Sequence, residues 1–230
     1  MDFYQAEYGE GDGITTFMPD QQELEALLKQ GFATVPSKNA NRIKQAFSML
    51  FDSLDGVKVI DYGASWGYIS YQLKSYGLDC ESFEISVPRA NFGNQSLGLN
   101  IKTNPVDLRQ ENDIFFSSHV IEHVPSVSRM LDDAARLVNE MGFVVTLCPN
   151  GSDAFRQKMG KAFSLAWGKV HPNVLSIDFF RKFYVGVPYF MATNTDGWKA
   201  LSEWDRESQH ECNDASGGEL FVVACPHQRC

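Results

Sequence analysis

Apolar and polar residues follow one another along the chain in blocks that predict strands and helices in turn. Short apolar runs predict strands at residues 57–60, 97–103, 113–116, 142–147, 184–193 and 219–224. Segments with helical periodicity lie at residues 21–30, 41–54, 130–139, 154–167 and 176–183. Strands that alternate with helices predict an α/β protein with a Rossmann-like, doubly wound and mostly parallel sheet.

The same pattern divides the chain into four consecutive parts of one predicted domain. Residues 1–54 form an N-terminal arm followed by helices, and residues 55–150 hold a strand–helix alternation that could bind a cofactor. Residues 151–183 are predicted to form a helical insertion or lid on the substrate side. Residues 184–230 supply strands that complete the same sheet. The 230 residues are enough for one domain with a sizeable core.

The turn after the first strand has the most specific chemistry in the sequence. The strand ends in Asp61, and the turn that follows contains four small residues, Gly63, Ala64, Ser65 and Gly67. A second strand ends at Glu84, which lies 17 residues beyond Gly67. A carboxylate near that offset accepts hydrogen bonds from the two hydroxyls of a ribose and repels a phosphate. The turn therefore predicts a pocket for a nucleotide with an unphosphorylated ribose.

Two ligands suit such a turn, a dinucleotide and S-adenosylmethionine. The third glycine of the dinucleotide fingerprint falls on Tyr68, whose ring would crowd the helix against the strand. Asp61 would lie unfavourably beside a pyrophosphate but favourably beside the ammonium group of a methionine moiety. An NAD-linked oxidoreductase is therefore the less favoured interpretation.

A second group of candidate residues follows the strand at residues 113–116. The strand stops at Ser117 and Ser118, and the next five residues, His-Val-Ile-Glu-His, are predicted to begin a helix on the same sheet edge as the first motif. His119 and His123 are four apart and would share a helix face, which is a metal-ligand spacing. Two ligands are too few for a zinc site, so no metal is predicted.

Together the two motifs resemble class I S-adenosylmethionine-dependent methyltransferases. Residues 61–67 are similar to the family's acid-x-Gly-x-Gly-x-Gly motif, with Ser65 in the middle glycine position. Residues 119–124 are similar to its His-Val-Leu-Glu-His-Val signature, and the resemblance covers about residues 55–150. It implies a seven-stranded sheet that is closed by an antiparallel hairpin of the two C-terminal strands.

The resemblance also implies roles for individual residues. The cofactor would contact nine positions: Asp61, Gly63, Ala64, Ser65, Gly67, Glu84, Asp107, Ser117 and Ser118. Glu84 would bind the ribose, Asp107 the adenine amino group, and the two serines the methionine end. His119, Glu122 and His123 would be the catalytic residues on the acceptor side, because a hydroxyl acceptor must lose a proton and histidine accepts one near neutral pH.

Composition indicates which kinds of partner and which cellular compartment are expected for this chain. The formal net charge is −9 and no basic stripe is present, so no nucleic-acid partner is expected. No apolar run approaches ~18 residues and the N-terminus lacks signal-peptide features, so no membrane insertion is expected. Five widely spaced cysteines fit a reducing cytoplasm. The C-terminal group of possible ligands matches no common zinc spacing: His210, Cys212, Cys225, His227 and Cys230.

The sequence thus predicts an enzyme that transfers a methyl group from S-adenosylmethionine to a small-molecule or saccharide acceptor at an oxygen atom. A cofactor-binding or regulatory protein that keeps the fold without catalysis is the alternative from a different class. His171 is an alternative general base, with a structural role preferred for it, whereas a catalytic and a structural role for His119 or His123 are equally compatible with the sequence. A homodimer is also left open.

Overall fold

The computed structural model describes residues 17–166, 171–211 and 214–230. Three parts of the sequence-based expectations fall outside these ranges: the N-terminal arm over residues 1–16, the end of the helix expected at residues 154–167, and Cys212. The described chain has an α/β fold with an eight-stranded, mostly parallel sheet, as the alternating pattern predicts.

The strands and helices alternate along the chain. The strands are β1 (Lys58–Tyr62), β2 (Asp79–Phe83), β3 (Ile101–Lys102), β4 (Asn112–Ser118), β5 (Val138–Pro149), β6 (Tyr189–Ala192), β7 (Gln209–Glu211) and β8 (Glu219–Ala224). The helices are α1 (Gln21–Lys29), α2 (Asn41–Leu50), α3 (Tyr68–Ser75), α4 (Val87–Leu97), α5 (Val127–Leu137), α6 (Asp153–Met159), α7 (Ile177–Phe183) and α8 (Thr195–Trp198). Within the described ranges, every helix is too short or too polar to cross a bilayer.

Contacts between residues divide the chain into two compact units, Met1–Leu108 and Arg109–Cys230. In the first unit β2 lies between β1 and β3 and is parallel to both. Asp61 of β1 is opposite Ser82 of β2, so Glu84, two residues further along, lies just past the same strand ends. The carboxyl edge of this sheet segment therefore carries both acids of the first motif.

Helix α1 packs against the turn that follows β1. Asp20 caps the helix by accepting a hydrogen bond from the backbone N–H of Glu23, whose carboxylate accepts one from the backbone N–H of Asp20. Leu24 of α1 lies in an apolar cluster with Phe32 and Trp66. Because Trp66 belongs to the turn, this cluster holds the turn from the helical side.

In the second unit the strand order is β4-β5-β8-β6-β7. Only β8 runs against its neighbours β5 and β6, while β4 is parallel to β5 and β7 to β6. Ser118 is opposite Leu147 on β5, and Pro149 on β5 is opposite Glu219 at the start of β8. This register brings Glu219 to the carboxyl end of β4.

The structure corrects several boundaries. The sheet has eight strands rather than seven, because β7 forms between β6 and β8, where the apolar pattern predicts no strand. Strand β3 has two residues and is shorter than the run at residues 97–103. The helix expected to begin at His119 is wrong: residues 119–125 form a turn, and α5 begins at Val127. The expected antiparallel pairing of the C-terminal strands is confirmed by β6 and β8.

Candidate active site

The turn between β1 and α3 is fastened to the end of β2. The backbone N–H groups of Gly63 and Ala64 both donate to the carbonyl of Phe83, each at 2.8 Å. Gly63 and Gly67 have φ angles of 85° and 82°, in the left-handed region that glycine occupies without steric cost. The turn therefore follows the path of the first motif and places Ser65 beside Glu84.

Glu84 is held by two backbone hydrogen bonds. Its Oε2 accepts from the N–H of Ser65 and its Oε1 from the N–H of Ser86, each at 2.8 Å. Each carboxylate oxygen has a second lone pair that can accept a hydroxyl hydrogen bond. Burial raises the pKa of Glu84, although the N–H groups of Ser86 and Ser65 and the charge of Arg89 act in the opposite direction.

Ser65 and Arg89 form a contact that the sequence-based interpretation did not include. Arg89 lies in the first turn of α4, is 4% exposed, and donates from Nη1 to Ser65 Oγ at 2.7 Å. Ser65 has a φ of 54°, which costs a non-glycine residue about 1–2 kcal/mol. The serine in the middle glycine position thus accepts a hydrogen bond from a buried guanidinium. In the sequence, only the position of Arg89 five residues after Glu84 could have suggested that it lies near the first motif.

Asp61 is nearly fully buried in β1, where Ser70 Oγ donates to its Oδ2 at 2.6 Å. Burial raises the pKa of Asp61 to about 6, the charge of Glu84 adds to the increase, and the hydrogen bond from Ser70 opposes it. The sequence indicated the acid but gave no sign of Ser70 as its partner.

The other predicted cofactor residues have different environments. Asp107 lies in an exposed 3₁₀ turn, Pro105–Asp107. Ser117 is buried in β4, and within the described residues its hydroxyl has no hydrogen-bond partner. Ser118 is half-buried at the last position of β4. Contact of these three residues with a cofactor stays a prediction.

His119 lies directly after β4 with a φ of 55°, and its backbone N–H donates to the carbonyl of Leu147 at 2.8 Å. Its Nε2 is 3.0 Å from Glu219 Oε1, and its Nδ1 is 3.4 Å from Glu122 Oε1. Burial would lower the pKa of His119, but the two carboxylates outweigh it and raise the pKa to about 9. The side chain is nevertheless 49% exposed, so another molecule can reach it.

Glu122, His123 and His171 form a second cluster behind His119. Glu122 is fully buried, and within the described residues neither of its carboxylate oxygens accepts a hydrogen bond. His123 Nε2 lies 3.8 Å from Glu122 Oε1, and the rings of His123 and His171 are 4.7 Å apart between centroids. One nitrogen or oxygen atom from each residue lies within 4.8 Å of the other two. His119 and His123 do not share a helix face, because the segment is a turn.

The C-terminal histidines have separate neighbours. His210 stacks on Phe190 with 5.2 Å between ring centroids, and His227 Nε2 lies 2.8 Å from the carbonyl oxygen of Ala135. Cys225 is buried and Cys230 is exposed, and both are free thiols. Among the described residues, the only group of three possible ligands close enough to share a metal ion is Glu122, His123 and His171.

Comparison with known proteins agrees with this geometry. A family model described as a methyltransferase domain matches residues 20–183, and no curated protein matches the chain. Three examples illustrate the many solved structures that share the fold. The complex of the Haloferax volcanii Trm112 methyltransferase activator with a methyltransferase has a TM-score of 0.58 at 12% identity and covers 88% of this chain and 96% of that chain. The plantazolicin methyltransferase BamL with a triazolic desmethylPZN analog and SAH has a TM-score of 0.58 at 12% identity and covers 90% of each chain. The magnesium protoporphyrin IX methyltransferase ChlM of Synechocystis PCC 6803 with SAH has a TM-score of 0.55 at 14% identity and covers 97% of this chain and 96% of that chain.

The family match covers well over half of the chain and includes both motifs. It agrees with the Rossmann-like sheet and separates the chain from the NAD-linked oxidoreductases. The chain therefore belongs to the class I S-adenosylmethionine-dependent methyltransferases, enzymes whose cofactor is S-adenosylmethionine.

Proposed function

We propose that this enzyme transfers the methyl group of S-adenosylmethionine to a hydroxyl oxygen of a small-molecule or saccharide acceptor. When bound, the cofactor supplies a methyl group that its sulfonium has already activated. The protein then has to hold the cofactor, orient the acceptor and receive the acceptor's proton.

The surroundings of Glu84 fit the ribose of this cofactor. The carboxylate accepts hydrogen bonds from the N–H groups of Ser65 and Ser86, with Ile85 and Arg89 also close to it, and a carboxylate has about four acceptor positions to share between these groups and ribose hydroxyls. Its negative charge disfavours a phosphorylated ribose. Glu84 is therefore the residue that we assign to ribose binding.

Asp61 is assigned to the methionine end of the cofactor. The buried carboxylate of Asp61 lies at the end of β1 and favours a cationic group over a phosphate. Ser117 has a buried hydroxyl that no described residue satisfies, so a polar ligand group would remove an energetic cost.

The arrangement around His119 is the observation that favours a hydroxyl oxygen over an amine nitrogen as the methyl acceptor. Its half-exposed imidazole lies between the carboxylates of Glu219 and Glu122, so one reachable ring is connected to two proton-accepting groups. A hydroxyl must lose its proton during methyl transfer, whereas a neutral amine can react first and lose a proton later. Proton acceptors at this point therefore favour a hydroxyl acceptor.

The acceptor itself is inferred to be an uncharged polar molecule. Two carboxylates next to His119 and a formal net charge of −9 disfavour an anionic acceptor. Structures with the same fold come from methyltransferases for plantazolicin and for magnesium protoporphyrin IX, so the fold by itself does not select the acceptor.

The described cysteines are all free thiols, which fits the expected reducing cytoplasm.

The proposal is tested by measuring S-adenosylhomocysteine formation with matched panels of alcohols, saccharides, amines and thiols. Turnover is expected with a member of the first two panels. His119→Ala and Glu219→Gln should lower kcat by about 10²–10⁴-fold and leave the affinity for S-adenosylhomocysteine unchanged. Below about pH 9 His119 is a cation that can orient the acceptor oxygen, and the Glu219 carboxylate beside it receives the proton.

His227→Ala and Glu207→Gln are the matched controls, since both residues are exposed and lie outside the site. Turnover only with amines or thiols would contradict the hydroxyl assignment. Full activity of both His119→Ala and Glu219→Gln would remove these side chains from the reaction. Cofactor binding without turnover on any panel would favour the non-catalytic alternative.

A further inference from the structure

The cluster of Glu122, His123 and His171 has the composition of a metal site. Each residue contributes one possible ligand atom, and the three atoms lie within 4.8 Å of one another. Ligands on bonds of about 2.1 Å are ~3.4 Å apart in a tetrahedral site, so a bound ion would draw the side chains together by small rotations. The separation of 3.8 Å between His123 Nε2 and Glu122 Oε1 is already close to that value.

Glu122 gives an independent reason to expect a cation. Its side chain is completely buried, and no described residue donates a hydrogen bond to either oxygen. A buried carboxylate without hydrogen bonds is costly unless a positive charge compensates it. The nearest nitrogen of His119 lies 3.4 Å from Glu122 Oε1 without a hydrogen bond to it, and the other ring nitrogen lies 3.0 Å from Glu219 Oε1.

The backbone holds the two ligand-bearing turns together. The side-chain amide of Asn173 donates to the carbonyls of Val124 and Glu122 at 2.7 and 3.2 Å, and its backbone N–H also donates to Glu122 at 3.2 Å. Asn173 lies two residues after His171, and Val124 directly follows His123. The turns are therefore cross-linked next to the ligands, as preorganised metal sites require.

We propose that Glu122, His123 and His171 bind one divalent first-row transition-metal ion. Two imidazoles and one carboxylate suit zinc, iron, cobalt or manganese better than calcium, which prefers oxygen ligands alone. Three protein ligands leave at least one position open, as in catalytic rather than structural zinc sites. This differs from the sequence-based expectation of no metal, which considered the pair His119 and His123 and the C-terminal cysteines and histidines but not His171 as a ligand.

The open position gives the ion a role that rests on the proposed function. A metal ion at this position would bind an acceptor oxygen and lower the pKa of its hydroxyl, which complements the proton-accepting groups around His119. Binding of the ion itself does not depend on that role, so metal affinity is measured without cofactor and without acceptor.

The test uses the full-length, tag-free protein after removal of metal with a chelator. Zn²⁺ and Co²⁺ are titrated calorimetrically, and the visible spectrum of Co²⁺ reports its coordination. The wild-type protein is expected to bind one equivalent of either ion with a Co²⁺ spectrum that indicates nitrogen ligation. Glu122→Gln, His123→Ala and His171→Ala should each weaken binding by about tenfold or more, whereas His227→Ala should not.

Thermal unfolding of each variant shows whether it is folded before it is titrated. If Glu122→Gln does not fold, the comparison of His171→Ala with His227→Ala decides, because both positions lie outside the core. Absence of Zn²⁺ and Co²⁺ uptake by the wild-type protein would overturn the proposal. Uptake that His171→Ala leaves unchanged would also overturn it, since the ion would then be held elsewhere.

Discussion

Ser65 occupies the middle glycine position of the first motif, and the structure explains how a serine is accommodated there. Its φ of 54° is unfavourable for a residue with a side chain, yet its N–H donates to Glu84 and its hydroxyl accepts from Arg89. The backbone bond would survive any substitution except proline, whereas the bond to Arg89 depends on the hydroxyl. The two contributions can therefore be separated by substitution.

Ser65→Ala should lower the free energy of unfolding by about 1.5–3 kcal/mol, because it removes a hydrogen bond from a charged donor and keeps the strained backbone. Ser65→Gly removes the same bond but relieves the strain, so it should be more stable than the alanine variant by about 1 kcal/mol. Urea unfolding of both variants measures the difference. An alanine variant as stable as the glycine variant would mean that the backbone is not strained.

Asp61 offers a pH-dependent prediction. Its usual pKa is 3.8, and burial raises the pKa to about 6 in the folded protein. The folded state thus keeps the proton up to about pH 6, whereas the unfolded chain releases it near 3.8, so the protein loses stability as the pH rises through this window. At pH 8 the buried charge should cost about 1–3 kcal/mol.

Asp61→Asn should therefore raise the free energy of unfolding of the cofactor-free protein at pH 8 and have little effect at pH 4. The asparagine oxygen can still accept the hydrogen bond from Ser70, so the substitution changes mainly the charge. Urea unfolding at the two pH values measures this, and calorimetry with S-adenosylhomocysteine should show weaker binding. An equal effect at both pH values would contradict the titration of Asp61.

At the scale of elements, the connection from β1 to α3 depends on packing as well as on ligand access. Gly67 is the N-cap of α3 with a φ of 82°, and a Cβ there would clash with Leu99 Cδ1 and would lie 3.0 Å from Ile101 Cδ1. The positive φ favours glycine here whether or not a ligand is bound, and a side chain would in addition displace the terminal methyl groups of Leu99 and Ile101.

Gly67→Ala should lower the free energy of unfolding by about 2–4 kcal/mol, which combines backbone strain with overpacking against Leu99 and Ile101. Gly98→Ala is the matched control, because Gly98 also has a positive φ but a Cβ added there would have no atom within 4 Å, so its cost should stay near about 1 kcal/mol. Chemical unfolding compares the two variants. An equal loss in the free energy of unfolding for the two variants would show that Leu99 and Ile101 move aside without an energetic cost.

The turn that carries His119, Glu122 and His123 illustrates how an element differs from its expected form. The histidine spacing and the apolar residues between them favour a helix, but β4 extends through Ser118 and the backbone then adopts a positive φ at His119. Hydrogen bonds from this turn to Leu147 and Asn173 replace those of a first helical turn. Tertiary contacts therefore override the local periodicity.

At the scale of the whole molecule, cofactor binding should raise the free energy of unfolding, because the ligand binds the folded state and not the unfolded chain. S-adenosylhomocysteine at about a hundred times its Kd should stabilise the protein by ~2.7 kcal/mol, which corresponds to a Tm increase of roughly 5–11 °C for a chain of this size. NAD at the same concentration should leave Tm unchanged, because Tyr68 and Asp61 disfavour a pyrophosphate.

Differential scanning fluorimetry measures both shifts, and Glu84→Gln is the specific control. This variant keeps the shape of the side chain but loses the charge that accepts the ribose hydroxyls, so the stabilisation by S-adenosylhomocysteine should be much smaller. A full Tm shift in Glu84→Gln would place the ribose elsewhere. A shift with NAD and none with S-adenosylhomocysteine would contradict the assigned cofactor.

The sequence by itself determined the α/β class and the first motif, because both depend on neighbours along the chain. The order strand, acid, small-residue turn and helix fixes where Asp61, Gly63 and Gly67 lie, and the next strand end fixes Glu84. The family match over residues 20–183 agrees with that interpretation. Spacing along the chain was sufficient to predict these positions, because each of these residues lies at or just after the end of a strand.

Only the tertiary structure decided the partners of the second motif. Glu219 is 100 positions from His119, and it arrives there because β8 runs antiparallel beside β5 with Glu219 opposite Pro149. His171 reaches Glu122 and His123 through a turn that Asn173 anchors. Strand order and long-range register are set by the packing of the whole sheet, and no spacing within the sequence encodes them.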